Sequence, residues 1–439
     1  MRLAWAALLL VIATTLVMGW HTGEDAAGSL DRQGSLTLQE ALVRIRNGDG
    51  NPALEAAGLS MVVFDRNGIV AGAAAGCRHF AGDRCLLMST DAMARIASIS
   101  KLVAATAAMR LVEEGKLALE GDIGDMLGFP VRNPAHPDTP ITLASLMSHT
   151  SSLRDGRGYA LPLGESLWRE LFDPEGGHFD TRAPGAFFEY ANINFGVLAG
   201  VMEKATGERF DRIVASEVLV PLNIEAGFNY AGVPSGKPVA TLYRKLNKTG
   251  AYDSRAAWQA QLDGFRTSPA LPQLYKVDMA TPERLAQYEP GTNGTVFSPQ
   301  GGLRISTRDL ARFGVALFGG KGAVLKPETV SRMIGTDWTY NAHPPNGATF
   351  DGFYKAFGLS VHTMADAAKT GRTLVGHFGE AYGLRSALLW DEEYGQGFAY
   401  FITGMASNAR ETPGDGDGLS WWEAEMIKVG VSAIDKKRG

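Results

Sequence analysis

The pattern of apolar and polar positions predicts two β-hairpins, one near each end of the chain. Apolar runs at 60–64 and 69–73 are separated by a short polar turn, and so are the runs at 386–390 and 397–402. Two apolar runs around a turn rich in Asp, Asn, Glu and Gly are typical of a hairpin. We predict that both hairpins belong to one antiparallel sheet.

Three segments carry apolar residues at the three- and four-residue spacing of a helix that buries one face. They are 36–45, 96–115 and 419–434. We expect the first and the last to cover a face of the sheet, so that the two ends of the chain form one layered unit.

The segments between these elements predict an α/β (α+β) protein with two parts. Residues 35–116 and 301–437 would form the α/β sheet domain, and residues 117–300 a second, mainly helical domain with a long loop insertion at about 234–290. A substrate cleft is expected between the two parts.

Composition narrows the class of protein. The 439 residues are 45% hydrophobic, enough for a large core, and the net charge of −5 with scattered Lys and Arg gives no case for a nucleic-acid partner. Motifs of zinc proteases, dinucleotide sites and the α/β-hydrolase elbow are missing from the sequence. We therefore predict no metal and no cofactor.

The first 20 residues predict export. Arg2 is followed by an apolar run that ends at Trp20, which indicates a signal peptide or an inner-membrane anchor. The protein would then be periplasmic, secreted or anchored facing outward. Cys77 and Cys85 could form a disulfide in such an oxidising compartment, and two unpaired thiols are the alternative.

The first chemical motif is Ser98-Ile-Ser-Lys101, at the head of the apolar helix. Side chains three residues apart are neighbours on a helix, so the lysine amine can reach the serine hydroxyl. Burial would lower the pKa of the lysine and make it a useful base. The alternative is a helix cap followed by a surface lysine.

Two further motifs contain residue types that could assist a serine nucleophile. Tyr190-Ala-Asn192 precedes an apolar helical run, and the phenol could lose its proton easily near an ammonium group. The segment 376–380 carries His377 between glycines before a long apolar strand. A packed aromatic ring and a helix-start asparagine are the structural alternatives for the first of these motifs.

In this order, the three motifs resemble the class C-like branch of the serine β-lactamase and D,D-peptidase superfamily. The segments 146–153 and 301–310 also resemble that family. The resemblance implies a β-lactamase/transpeptidase-like fold and an acyl-enzyme on Ser98. It also implies shared proton transfer by Lys101 and Tyr190, and a substrate site that includes Asn192, His377, Phe378, Gly379 and Glu380, with the amides of Ser98 and Glu380 as the oxyanion hole.

One departure from the family concerns the substrate. Phe378 replaces the threonine whose hydroxyl usually meets the substrate carboxylate, and it could offer apolar surface to an ester or point into the core. Literal Lys-Thr-Gly sequences at 248–250 and 369–371 are interpreted as solvated turns, with Lys369 kept as an alternative site residue. We expect a structural role for His149.

These observations predict an exported serine hydrolase that acts on a small-molecule carboxylic ester. One alternative is a D,D-carboxypeptidase or β-lactamase that acts on peptidoglycan peptides or β-lactams. Such a peptidase would be favoured if Phe378 points away from the cleft and Lys369 or Arg372 binds a terminal carboxylate. An alternative of another class is a catalytically silent cell-wall-binding protein on the same fold.

Overall fold

The computed structural model describes residues 32–228, 233–261, 282–321, 323–416 and 418–435. In chain order, the helices are α1 Arg32–Arg46, α2 Ile99–Glu113, α3 Ile123–Leu127, α4 Leu143–Met147, α5 Leu167–Leu171, α6 Ile193–Thr206, α7 Phe210–Val214, α8 Pro282–Leu285, α9 Thr307–Phe318, α10 Pro327–Ile334 and α11 Trp421–Asp435. The strands are β1 Gly58–Asp65, β2 Gly68–Ala81, β3 Arg84–Leu87, β4 Met93–Arg95, β5 Tyr243–Lys245, β6 Trp258–Ala260, β7 Arg304–Ser306, β8 Trp338–Thr339, β9 Ala356–Phe357, β10 His362–Met364, β11 Leu374–Ala381, β12 Leu384–Asp391, β13 Gln396–Ile402 and β14 Gly404–Met405.

Within these residues, the main sheet has nine strands in the order β3-β2-β1-β13-β12-β11-β10-β9-β8. The paired strands are antiparallel, as predicted. Both predicted hairpins are present, and β1 pairs with β13, for example at Val62 and Ala399. The N- and C-terminal segments therefore lie side by side in one sheet.

The two faces of this sheet pack into separate cores, because successive strand residues point to opposite sides. Val62 and Phe64 of β1 belong to the core that includes α2 and α9. Met61 and Val63 belong to a second core on the other face, together with Trp422 of α11 and residues of α1. The terminal helices cover the sheet as predicted.

The middle of the chain contributes α3 to α8 and packs against the sheet through α2. Leu102 of α2 and Phe195 of α6 are fully buried in the same core as the sheet residue Leu388. This core is continuous from the sheet to α6, and the division into domains at residues 117 and 300 stays a prediction.

One local expectation for the middle segment is wrong. Residues 243–255 belong to the stretch predicted as a long loop insertion, yet β5 lies there and pairs with β14 and β6. The strand has three residues and its partner β14 is remote in sequence, so local periodicity carries no signal for it. Lys248 to Gly250 lie in an exposed turn between β5 and β6, as expected.

The predicted leader and part of the predicted insertion cannot be compared with the fold. Residues 1–20 and 262–281 lie outside the described residues. In the part of the chain that the structure does cover, none of the helices is both long and apolar enough to cross a bilayer.

Cys77 of β2 and Cys85 of β3 form a disulfide, which confirms this pairing. Their Cα atoms are 5.4 Å apart. The bond joins the outermost strand of the main sheet to its neighbour, and Leu87 at the end of β3 is 75% exposed.

Candidate active site

Ser98 lies at the start of α2, directly after a residue with unusual backbone geometry. Ala97 has a φ of 48°, in the left-handed region that residues with a Cβ rarely adopt. The preceding Ile96 is fixed by two hydrogen bonds, from its amide to the Leu303 carbonyl (3.0 Å) and from the Ser386 hydroxyl to its carbonyl (2.9 Å). Ser98, the predicted nucleophile, thus lies on a turn between β4 and α2 that these hydrogen bonds hold in place.

Lys101 is fully buried one helical turn after Ser98. Its Nζ lies 3.0 Å from Ser98 Oγ, 2.9 Å from Asn192 Oδ1 and 3.0 Å from the Gln300 carbonyl oxygen. Burial lowers the pKa of Lys101 to about 7, although the carboxylate of Asp155 opposes this shift. A neutral amine can donate to Asn192 and Gln300 and still accept the Ser98 proton.

Tyr190 completes the group around the hydroxyl. Its phenol interacts with Ser98 and Tyr354 and lies 3.2 Å from His377 Nε2, and Lys101 Nζ is 4.7 Å from the centre of its ring. We expected a phenol that loses its proton easily. Instead, burial raises the pKa of Tyr190, so the structure favours a protonated phenol.

His377 is held as a neutral imidazole. A backbone carbonyl can only accept, so the 3.0 Å contact between Nδ1 and the Ser360 oxygen places the ring proton on Nδ1. Nε2 is then the acceptor for the Tyr190 hydroxyl. Burial and the nearby Lys101 hold the pKa of His377 well below its ordinary value.

Phe378 does not face the cleft, which corrects the expectation of an apolar substrate contact there. Its side chain is buried in the second core, with its ring 5.1 Å from that of Phe353 and 5.7 Å from that of His362. Since His377 contacts Tyr190, its neighbour on β11 must point to the opposite face of the sheet. The alternative considered for Phe378, a core position, is the one that the structure shows.

Gly379 allows β11 to approach the turn before Ser98 closely. A β-carbon at this position would lie 2.3 Å from the Ile96 carbonyl oxygen and 2.4 Å from Ser386 Oγ. Beyond this point Glu380 is exposed and its carboxylate pairs with Arg385 at 2.9 Å. The predicted oxyanion donors therefore lie on two adjoining segments, the helix start and β11.

Asp155 was missed by the sequence reasoning. Its carboxylate accepts hydrogen bonds from Asn192 Nδ2 (2.8 Å) and from the Ile193 amide (2.9 Å). It thereby connects a loop after α4 to the start of α6. It lies 37 residues before Asn192, so no local motif points to the contact.

Two further residues considered from the sequence, His149 and Lys369, make no hydrogen bond to Ser98 in the described part of the chain. His149 has the expected structural role, because it stacks on Tyr190 at 4.2 Å and its Nδ1 accepts from the Ala191 amide at 3.2 Å. Lys369 pairs with Asp415 at 3.3 Å. It lies in the turn that precedes β11, whereas Gly379 lies near the other end of that strand. The structure does not bring Lys369 to Ser98.

The antiparallel sheet, the helix that begins at Ser98 and the buried lysine one turn later define the class of the protein. The fold is that of penicillin-binding and beta-lactamase-fold proteins, and the Ser98–Lys101 pair agrees with the motif that the sequence shares with that family. The chain belongs to the beta-lactamase family, whose model matches residues 49–417.

The curated relatives have several activities in their names. The D-alanyl-D-alanine-carboxypeptidase/endopeptidase AmpH of Escherichia coli K12 is 28% identical over 143 residues, which cover 31% of this chain and 36% of AmpH. Esterase EstB of Burkholderia gladioli is 31% identical over 160 residues, which cover 32% of this chain and 40% of EstB. The chain thus matches well under half the length of these relatives.

Solved structures show the same fold over most of the chain. The penicillin-binding protein homologue of Pyrococcus abyssi has a TM-score of 0.64 at 19% identity, covering 90% of this chain and 77% of its own. The hydrolase EstCE1 has a TM-score of 0.65 at 20% identity, covering 92% of this chain and 100% of its own. Likeness at these identities concerns the fold alone.

Proposed function

We propose that the chain is an exported serine hydrolase that cleaves carboxylic esters through an acyl-enzyme on Ser98. The observation that carries the proposal is the buried amine of Lys101, 3.0 Å from the Ser98 hydroxyl and with a pKa of about 7. At neutral pH a large share of this amine is unprotonated and ready to act as a base.

In the acylation step, Ser98 Oγ attacks the ester carbonyl carbon while its proton moves to Lys101 Nζ. The resulting oxyanion would be stabilised by the amides of Ser98 and Glu380. The carbon–oxygen bond to the leaving group then breaks, and the leaving alkoxide takes a proton from the lysine ammonium through the Tyr190 hydroxyl. The products are the acyl-enzyme and an alcohol.

In the deacylation step, water adds to the acyl carbon, and its proton passes through the Tyr190 hydroxyl to Lys101. Ser98 Oγ then leaves and is reprotonated, which releases the carboxylic acid. The raised pKa of Tyr190 supports a role as a neutral relay rather than as a resting phenolate, while Lys101 holds the proton within each step, from the attack on the carbonyl carbon until the leaving oxygen departs.

Esters are favoured because the strand that faces the cleft offers no positive charge at position 377. His377 is a neutral imidazole where a lysine would attract a substrate carboxylate. Arg372 was the other cation considered for that carboxylate. It pairs with Asp391 at 3.2 Å, and this pair lies near the start of β11, whereas Gly379 lies near its end. A neutral acyl group needs no such partner.

A D,D-carboxypeptidase or β-lactamase is the second candidate. One observation favours it: Phe378 points away from the cleft and so does not obstruct a peptide or β-lactam. Acylation of Ser98 by a β-lactam, followed by intact mass, tests this candidate. A stable or turned-over penicilloyl adduct would shift the substrate class from esters to peptides.

The experiment that tests the main proposal is hydrolysis of short-chain nitrophenyl esters by the purified protein, with Ser98→Ala as the control. Turnover that the substitution abolishes supports the hydrolase. If neither protein turns over these esters and neither reacts with a β-lactam or with a fluorophosphonate probe, the silent cell-wall-binding protein becomes the better account.

Export is supported by the apolar leader and by the disulfide between Cys77 and Cys85, a bond that persists in oxidising compartments. Fractionation of expressing cells, with intact mass of the recovered protein, tests it. Recovery of the uncleaved chain in the cytoplasmic fraction would contradict export, and an uncleaved chain in the membrane fraction would indicate an anchor.

A further inference from the structure

Asp155 occupies a position that the family motifs do not explain. It lies in the loop between α4 and α5, and its two carboxylate oxygens accept from two different groups at the start of α6. One group is the backbone amide of Ile193 and the other is the side-chain amide of Asn192. Asn192 in turn accepts from Lys101 Nζ at 2.9 Å.

The chemistry of these groups fixes the orientation of the asparagine amide. A carboxylate can only accept hydrogen bonds, so the end of Asn192 that faces Asp155 must be the Nδ2 donor. The Oδ1 acceptor is then directed at the lysine. Without the carboxylate, the amide could rotate by half a turn and present its Nδ2 hydrogens to Lys101, which would repel the ammonium form.

We propose that Asp155 is a positioning residue for the hydrolase, which holds the Asn192 carbonyl toward Lys101 and supplies the negative charge that keeps the lysine able to carry a proton. The inference rests on the proposed function, since it concerns how Lys101 exchanges the Ser98 proton. Asp155 itself contacts neither the hydroxyl nor the reacting atoms.

The other titratable groups that face Lys101 are neutral, so the electrostatic effect on the lysine comes from the Asp155 carboxylate. His149 and His377 both have a pKa well below the ordinary value because they are buried, and burial raises the pKa of Tyr190, so all three are neutral. Among the described residues, Asp155 is the charged side chain that raises the pKa of the lysine against the effect of burial. Its removal therefore lowers the proton affinity of the amine further.

The test compares Asp155→Asn with Asp122→Asn in the full chain. Asp122 is the control, because its carboxylate also accepts from a backbone amide at the start of a helix, that of Gly124 at 2.8 Å. Its other partner is Arg132, at 2.8 Å, rather than Lys101 or Asn192. We would measure the rate of Ser98 labelling by a fluorophosphonate probe and kcat/KM for a nitrophenyl ester, both against pH, with the thermal midpoint as a folding control.

For Asp155→Asn we expect the rising limb of both pH profiles to move to lower pH and the plateau to fall roughly tenfold, the worth of one hydrogen bond. Asp122→Asn should leave both profiles at the wild-type position. An unmoved limb, or a loss that the control reproduces, would overturn the inference. A wild-type protein that is not labelled at all would instead overturn the proposed function, and the inference with it.

A double-substitution cycle tests the route through Asn192. If Asp155 holds that amide, Asp155→Asn should lower the plateau much less in an Asn192→Ala background than in the wild type. Fully additive losses would contradict positioning through Asn192. Should Asp155→Asn lose its thermal transition, Asp155→Ser replaces it, because the shorter side chain leaves space for a water that can accept from the Ile193 amide.

Discussion

The two faces of the main sheet differ in what they bury. On the α2 face, the buried Lys101 and His377 and the half-buried Tyr190 are polar groups whose pKa values are displaced from their ordinary range. On the α1 and α11 face, Phe378 and Trp422 belong to a largely apolar core, in which the buried Tyr400 is a polar member whose hydroxyl makes no hydrogen bond to Ser98 or Lys101. Consecutive residues of β11 thus belong to different environments, so chemistry and stability should respond separately to substitutions along one strand.

Lys101→Met should give the largest effect, a loss of turnover without a loss of stability. The substitution keeps much of the side-chain volume but removes the proposed base, so we expect kcat/KM to fall by about 10³- to 10⁴-fold. Burying an amine is costly, so the free energy of unfolding should stay the same or rise. Ester hydrolysis and urea unfolding measure the two quantities, and retained turnover would exclude Lys101 as the base.

Phe378→Ala should have the opposite result, a loss of stability with little change in turnover. The deletion leaves a cavity in the second core beside Phe353 and His362, and we expect a loss of about 3 kcal/mol in the free energy of unfolding. kcat/KM should change by less than about threefold at temperatures where the protein is folded. Urea unfolding with parallel kinetics measures this, and Phe378→Leu is the milder control. A large loss of turnover without a loss of stability would return Phe378 to the substrate site.

The buried amine of Lys101 should also make the free energy of unfolding of the protein depend on pH. The pKa of Lys101 is about 7 in the folded protein, against 10.5 for an ordinary lysine. Between these values the unfolded chain binds more protons than the folded one, so stability rises with pH. Compared with Lys101→Met, the wild type should gain about 2 kcal/mol between pH 7 and pH 9. Equal pH slopes for the two proteins in urea unfolding would contradict this.

His377→Gln should give the smallest effect and sharpen the description of the imidazole. A glutamine amide can donate to the Ser360 carbonyl and accept from the Tyr190 hydroxyl, as the neutral imidazole does. We therefore expect kcat/KM to fall by less than about tenfold, and His377→Leu to lose more because it leaves the phenol unpaired. Equal losses in the two variants would show that these hydrogen bonds do not matter for turnover.

Local patterns were enough to predict much of the fold and the core of the site. The hairpins depend on turn residues between apolar runs, and the neighbourhood of Ser98 and Lys101 follows from helical spacing. Strand alternation could also have placed Phe378, since one residue after a cleft-facing His377 the side chain must point to the other face.

Other features depend on contacts between segments that are remote in sequence. Asp155 reaches Asn192 across 37 residues, and β5 finds its partner β14 near the C-terminal end of the chain. The raised pKa of Tyr190 depends on how completely the fold excludes water from the phenol. None of these has a signature in a short window of sequence.

The disulfide between Cys77 and Cys85 has a consequence for association between molecules. It ties down β3, the terminal strand of a nine-stranded sheet. A terminal strand that detaches would expose the longer β2 as a template on which a second chain could add a strand, which is how sheets seed aggregates. Because the bond holds β3 covalently in place, the protein should stay soluble under oxidising conditions and become prone to aggregation when reduced.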